Sequence, residues 1–177
     1  MHVEISGHRS LWSVAAVLSA WLGLVGLAFG QAPRIDRLEI IESGTYVARE
    51  TGATAAPGSP TGDVKEQSDV RFVDSSSRIP ARLGVNFGIR FRSFGAPDGA
   101  TAALRSVWRI PDPGIRNPKT GNLYRQSLTD FTTKIGSDHI QGYGFDESWE
   151  LTTGTWVLEI WSGDRKLLEQ SFTVYKP

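Results

Sequence analysis

The chain has 177 residues, 19 of them basic and 19 acidic, and no cysteine. Balanced charge argues against a nucleic-acid surface or a polybasic membrane patch, and the missing thiol rules out cysteine nucleophiles, disulfide staples and cysteine metal sites. The fold must be held by its core alone.

Leu11 to Phe29 is almost wholly apolar and follows a short region carrying His8 and Arg9, which is the build of an export signal helix. Ala28-Phe29-Gly30 places small residues where a signal peptidase reads, so cleavage after Gly30 is expected and residues 1–30 are assigned to a signal peptide. The apolar run is long and Glu4 offsets Arg9, which leaves an uncleaved anchor as the alternative. The expected location is periplasmic or secreted, with membrane contact only through this segment if it is retained. Removing 30 of 177 residues leaves 147, enough for one compact domain burying about 70% of its unfolded surface.

Residues 31–50 read as a first strand: Leu38 and Ile40 share one side of Ile35 to Ile41, and a bend at Ser43-Gly44 precedes Tyr46-Val47. Thr51 to Asp69 is Thr, Ala, Gly, Pro and Ser with no apolar period, a composition that predicts a mobile surface excursion over residues 51–79. Residues 80–177 form the main body, joined by the first strand in a single domain. Arg82 to Arg92 has the clearest alternation, with Leu83, Val85, Phe87, Ile89 and Phe91 on one face. Burying those five gives roughly 8 to 15 kcal/mol of gross stabilisation, which predicts a central strand.

After the Pro97-Asp98-Gly99 turn, Thr101 to Ile110 puts Leu104, Trp108 and Ile110 at even positions with Ser106 the small residue among them. Trp108 is expected mid-core. Ile110 to Gly121 carries three prolines and two glycines and predicts a stiff loop without ladder pairing. Leu128 to Ile135 reads as a Thr-rich strand, and Gly136 to Gly144 as a second loop. Gly154 to Val174 predicts a closing hairpin, because its two apolar sets coincide only if Ile160 faces Leu168, Leu158 faces Gln170 and Trp156 faces Phe172. That register calls for three or five loop residues instead of a two-residue Gly163-Asp164 turn. Leu151-x-x-Gly154-x-Trp156 resembles the strand-to-strand corner of immunoglobulin-like and fibronectin type III sandwiches. The whole pattern predicts an all-β fold, an antiparallel two-sheet immunoglobulin-like β-sandwich in preference to a closed barrel.

Four motifs carry a family resemblance: Gly88-Ile89-Arg90-Phe91; Val107 to Pro111 running into Pro113 to Pro118; Gly142-Tyr143-x-Phe145-Asp146-Glu147-x-Trp149-Glu150-Leu151; and Gly154-x-Trp156-x-x-Glu159-Ile160-Trp161. As a set they resemble the bacterial domain of unknown function family 3859, over roughly Arg82 to Val174. The resemblance implies a small exported β-domain with no assigned activity and no catalytic residues to carry over.

Asp146, Glu147 and Glu150 form the one acidic cluster, the residue type that glycoside hydrolysis requires. Alternation separates Asp146 from Glu147, so the three read as exposed charges flanking buried Phe145 and Trp149. His139 is the only histidine after the leader, no Gly-x-Ser-x-Gly elbow presents a serine, and the acidic spacing matches no metal loop. No catalytic residue, metal or cofactor is therefore expected. Candidate binding residues are Trp161, lying on the parity opposite the core set; Arg109, Arg116 and Asn117 around the proline-rich loop; and Tyr143 and Asp146. The favoured function is a non-catalytic exported binding or interaction module whose partner is an unknown envelope protein or glycan. A carbohydrate-binding module using surface Trp and Tyr is the alternative, and a hydrolase using an Asp/Glu pair the third reading.

Overall fold

The structure, a computed structural model, describes residues 32–177; the expected signal helix and its cleavage site lie outside the described residues. Strands β1 (Arg34–Ala55), β2 (Asp63–Asp74), β4 (Asn86–Ala96) and β9 (Asp138–Gly144) form one sheet in the order β2-β1-β4-β9. Strands β3 (Arg78–Pro80), β11 (Arg165–Tyr175), β10 (Gly154–Ser162), β5 (Thr101–Arg109) and β8 (Gln126–Lys134) form the second in the order β3-β11-β10-β5-β8. Between β5 and β8 in sequence lie β6 (Ile115–Arg116) and β7 (Leu123–Tyr124), and one turn of 3-10 helix, Ser148–Glu150, precedes β10. Every pairing in the two main sheets is antiparallel except β3 alongside β11.

The core is aromatic. Phe87 of β4 sits with its ring centroid 5.3 Å from Trp108 of β5, 5.3 Å from Phe172 of β11, 6.0 Å from Trp156 of β10 and 5.4 Å from Phe145. One side chain thus joins both sheets. The corner before β10 is closed by the Trp156 indole, whose Nε1 donates to the Thr152 carbonyl at 2.8 Å. This fixes the chain where it turns from one sheet into the other.

The closing hairpin has the register that the alternation demands: Ile160 opposite Leu168, Leu158 opposite Gln170 and Trp156 opposite Phe172. The loop differs from expectation. Ser162 pairs with Arg165 across a two-residue Gly163-Asp164 turn, and Trp161 pairs with Lys166, so the shift needed to align the apolar faces is made by a bulge at Leu167. Gly163, at φ +59°, accepts the left-handed backbone such a turn requires.

Four other expectations are corrected. Strand β4 begins at Asn86, and Leu83 is 56% exposed in the turn before it; of the five side chains read as one face, Phe87, Ile89 and Phe91 are buried, worth roughly 5–9 kcal/mol. Strand β1 bulges between Ile35 and Arg37 and between Ile40 and Glu42, which buries Leu38 but leaves Ile40 40% exposed. Within the proline-rich loop, Ile115 and Arg116 do form a ladder, with Tyr124 and Leu123. Residues 138–144 are strand β9, because Gly142 and Gly144 are not breakers here but sites of close approach: a Cβ would meet Tyr46 Oη at 2.2 Å and Asn86 Oδ1 at 2.5 Å, respectively.

The segment expected as a mobile excursion is a hairpin arm. β1 continues to Ala55 and pairs with β2 from Thr45–Asp74 to Ala55–Asp63, so its backbone groups are satisfied by a ladder and not by water. The arm reaches past the end of β4 and docks on the opposite sheet, where the Leu128 amide donates to the Gly58 carbonyl at 3.1 Å, and on the proline-rich loop, where Asn117 Nδ2 donates to the Pro60 carbonyl at 2.8 Å. Ser59 and Asn117 are each 6% exposed. Asn117→Ala is expected to cost about 1–3 kcal/mol, by orphaning a buried carbonyl, and to speed hydrogen exchange at the Leu128 amide; unchanged exchange would show that Asn117 does not hold the arm.

Candidate binding site

The six candidate residues separate into three places. On the outer face of the five-stranded sheet, Arg109 and Trp161 converge on Glu159: Arg109 Nη2 and Trp161 Nε1 each lie 3.1 Å from its Oε2, and Lys166 Nζ 3.5 Å from its Oε1. Glu159 is 8% exposed. Burial pushes its carboxyl up, but the Trp161 and Arg109 hydrogen bonds and the Arg109 and Lys166 charges outweigh that and hold it below the usual glutamate value. Trp161 is half-buried, with the Lys166 ammonium over its ring. This face is a self-satisfied network.

The second place is the proline-rich loop. Arg116 Nη1 donates to the Gly121 carbonyl at 2.7 Å, and Asn117 Oδ1 accepts from the Lys119 amide at 2.8 Å and the Thr120 amide at 3.2 Å. Both side chains shape the loop.

The third place is a cavity beneath the arm, and Tyr143 and Asp146 line it. It exists because the inward face of β5 and β8 carries short hydroxyl side chains where a sandwich ordinarily carries aliphatic ones: Ser106 lies opposite Thr129 and Trp108 opposite Ser127. The floor is completed by Gln141 and Tyr143 of β9, and the roof by the arm through Tyr46, Lys65 and Gln67. Tyr46 donates to Gln67 Oε1 at 3.1 Å, while Lys65 Nζ bridges Asp146 at 2.8 Å and Glu50 at 3.0 Å at the rim. Burial raises the Tyr46 phenol far above its usual range.

Glu150 is the side chain that sequence reasoning misplaced. Read as an exposed charge, it is 1% exposed and accepts from Tyr143 Oη at 2.6 Å, the Asp146 amide at 3.1 Å and the Glu147 amide at 2.9 Å. Desolvation raises its carboxyl above the usual value against the pull of those donors, and burial with the Glu150 charge raises Tyr143 well above the normal phenol range. Trp149, expected to be buried, is half-buried. Glu150 supplies the second half of a capping box, accepting from the Glu147 amide three residues earlier, but with Glu instead of Ser or Thr at the first position the sequence lacks the usual signal, and the alternation rule passes over it. His139 does not line the cavity; it stacks on Phe131 with centroids 4.6 Å apart and bonds Gln141, and burial lowers its pKa. Asp138 is paired with Arg92.

A family model described as a domain of unknown function, DUF3859, matches residues 35–174. The chain belongs to this family. The match reaches back through the arm, so the DUF3859 domain includes β1 and β2 as well as the segments in which the resemblance was first legible. Among solved structures, an immunoglobulin-like protein from Pseudomonas aeruginosa is similar with a TM-score of 0.53 at 25% sequence identity, over 83% of this chain and 99% of that one. No curated protein matches the chain. The DUF3859 domain described here is an immunoglobulin-like β-domain.

Proposed function

We propose that this protein is a non-catalytic, exported immunoglobulin-like binding module, periplasmic or secreted, whose site is the polar cavity under the β1–β2 arm. One observation carries the reading: Trp108, which lines the cavity, has a buried indole N–H with no hydrogen-bond partner among the described residues. Such a donor costs about 1–3 kcal/mol, and an unpartnered polar group kept in a residue that lines a polar space suits a site shaped for binding more than for stability. The outer network around Glu159 supports the surface-platform reading less well, because its cations and its indole N–H are already engaged.

The test is a thermal-shift screen of the purified protein against neutral sugars, amino acids, carboxylates and amines. At least one class is expected to raise the melting temperature in wild type and to lose that effect in Ser127→Ala. Silence across the whole panel would overturn the binding reading. For export, the purified envelope protein is expected to begin at Gln31; a product retaining Leu11 to Phe29 would make it membrane-anchored.

A further inference from the structure

Beyond the cavity, we infer that the free edge of strand β8 is a docking site for an extended peptide of a partner protein, one that carries apolar side chains and a basic residue and joins the five-stranded sheet as an added strand. β8 ends that sheet, and its pairing with β5 runs from Gln126 to Lys134 without a bulge. The Leu128 amide points away from β5, because it donates to the Gly58 carbonyl at the arm tip. In an antiparallel ladder the amide and carbonyl of one residue face the same side and successive residues face opposite sides, so Asp130 and Thr132 also present both groups outward. Neither has a backbone partner on that side among the described residues. The arm thus begins a pairing with this edge that no described residue continues.

The space beside those groups is a groove. About 600 Å³ lies between the arm and β8, lined by Ala56, Pro57, Val64 and Glu66 on one side and Leu128 and Asp130 on the other. Thr129 lines it as well, and its side chain lies on the face of β8 opposite to Leu128 and Asp130, so the groove straddles the strand's edge. A second opening of about 440 Å³ shares Arg105 and Asp130 with the first and reaches Thr132. Val64, an exposed apolar side chain, gives the side chains of an added strand a surface to pack on.

Charge selects the occupant. Arg105 and Asp130 neutralise each other through two hydrogen bonds, whereas Glu66 is met by the Thr54 hydroxyl and by no cation among the described residues. The groove is left with an uncompensated carboxylate, which favours a lysine or arginine on the incoming strand. Affinity in this mode comes from main-chain bonds and specificity from the pockets beside them, and β8 is regular enough to supply the bonds. The far edge of the other sheet is not: β2 shifts register against β1 at three places and holds Asp69 at φ +54°, irregularities that keep an edge strand from pairing.

Hydrogen exchange followed by NMR on the purified protein, with and without a set of capped hexapeptides that alternate Val, Ile or Thr with Lys, tests this. At least one peptide is expected to bind saturably and to slow exchange of the Asp130 and Thr132 amides at least tenfold. Its backbone N-methylated form is expected to lose that protection, and a form with Glu in place of Lys to bind at least fivefold more weakly. Thr132→Pro removes an outward N–H without taking a bond from the ladder to β5 and is expected to abolish binding. Glu66→Gln, on the exposed surface of the arm, is expected to weaken binding at least threefold and carries the test if Thr132→Pro proves unstable. No protection with any peptide, or protection kept with the N-methylated form, would overturn the inference and leave the cavity reading untouched. Protection that grows with protein concentration and needs no peptide would overturn it in favour of pairing between two copies of this chain.

Discussion

Phe87→Ala is expected to destabilise the domain by about 3–5 kcal/mol, the range for emptying a well-packed aromatic site. Phe87 is fully buried and meets Trp108, Tyr143, Phe145, Trp156 and Phe172. Those partners come from both sheets, so the surrounding chain closes on the void only by moving one sheet against the other. Against a total of about 5–15 kcal/mol, this is a large share. Urea denaturation should show the midpoint falling with little change in slope, and Phe87→Leu, which keeps much of the volume, should cost less. A loss below about 1 kcal/mol would show that the ring does not join the two sheets.

Removing the buried carboxylate is expected to have a comparable effect. Glu150→Ala orphans the Tyr143 hydroxyl and the amides of Asp146 and Glu147, at about 1–3 kcal/mol for each buried group left without a partner, so a loss of roughly 3 kcal/mol or more is predicted. Glu150→Gln behaves differently. Its amide oxygen still accepts the two backbone bonds and its amide nitrogen still meets Tyr143, but it does not titrate. Because the Glu150 carboxyl is raised above 4.5 in the folded state, the native protein binds the extra proton, and the stability this brings is full below pH 4.5 and lost as pH rises through the raised value. Wild type should therefore lose stability relative to Glu150→Gln across that interval. Asp130, Asp138 and Glu159 are shifted downward and act in the opposite sense, but they are common to both proteins and cancel in the difference. A stability difference that is flat with pH, or that runs the other way, would show that burial does not govern this carboxyl.

Tyr143 and Asp146 are candidate binding residues by composition and position, and both line the cavity; Ser127, Thr129, Tyr46 and Asn86 line it too and are not legible as candidates. Ser127 and Thr129 lie in a Thr-rich strand with a faint apolar period, and nothing local distinguishes a hydroxyl facing an enclosed space from one facing water. Tyr46 belongs in the sequence to a short run after a bend, and its burial comes from partners far along the chain, Phe72 and Gln67 of β2 and Gly142 of β9. Glu150 follows the same logic: three donors brought together by one helical turn make an interior place for a residue that is ordinarily solvated.

Period-two alternation by itself determined the sandwich class, the aromatic core around Phe87 and Trp108, and the facing of the closing hairpin, because each strand with one buried side writes that fact into its own residues. Only the tertiary structure decided that residues 51–69 are an ordered arm, that Gly142 and Gly144 lie within a strand, and that a bulge rather than a longer loop aligns the last two strands. Those outcomes rest on ladder bonds and docking contacts with distant partners, and a backbone amide bonded across the molecule leaves no trace in the side chains beside it.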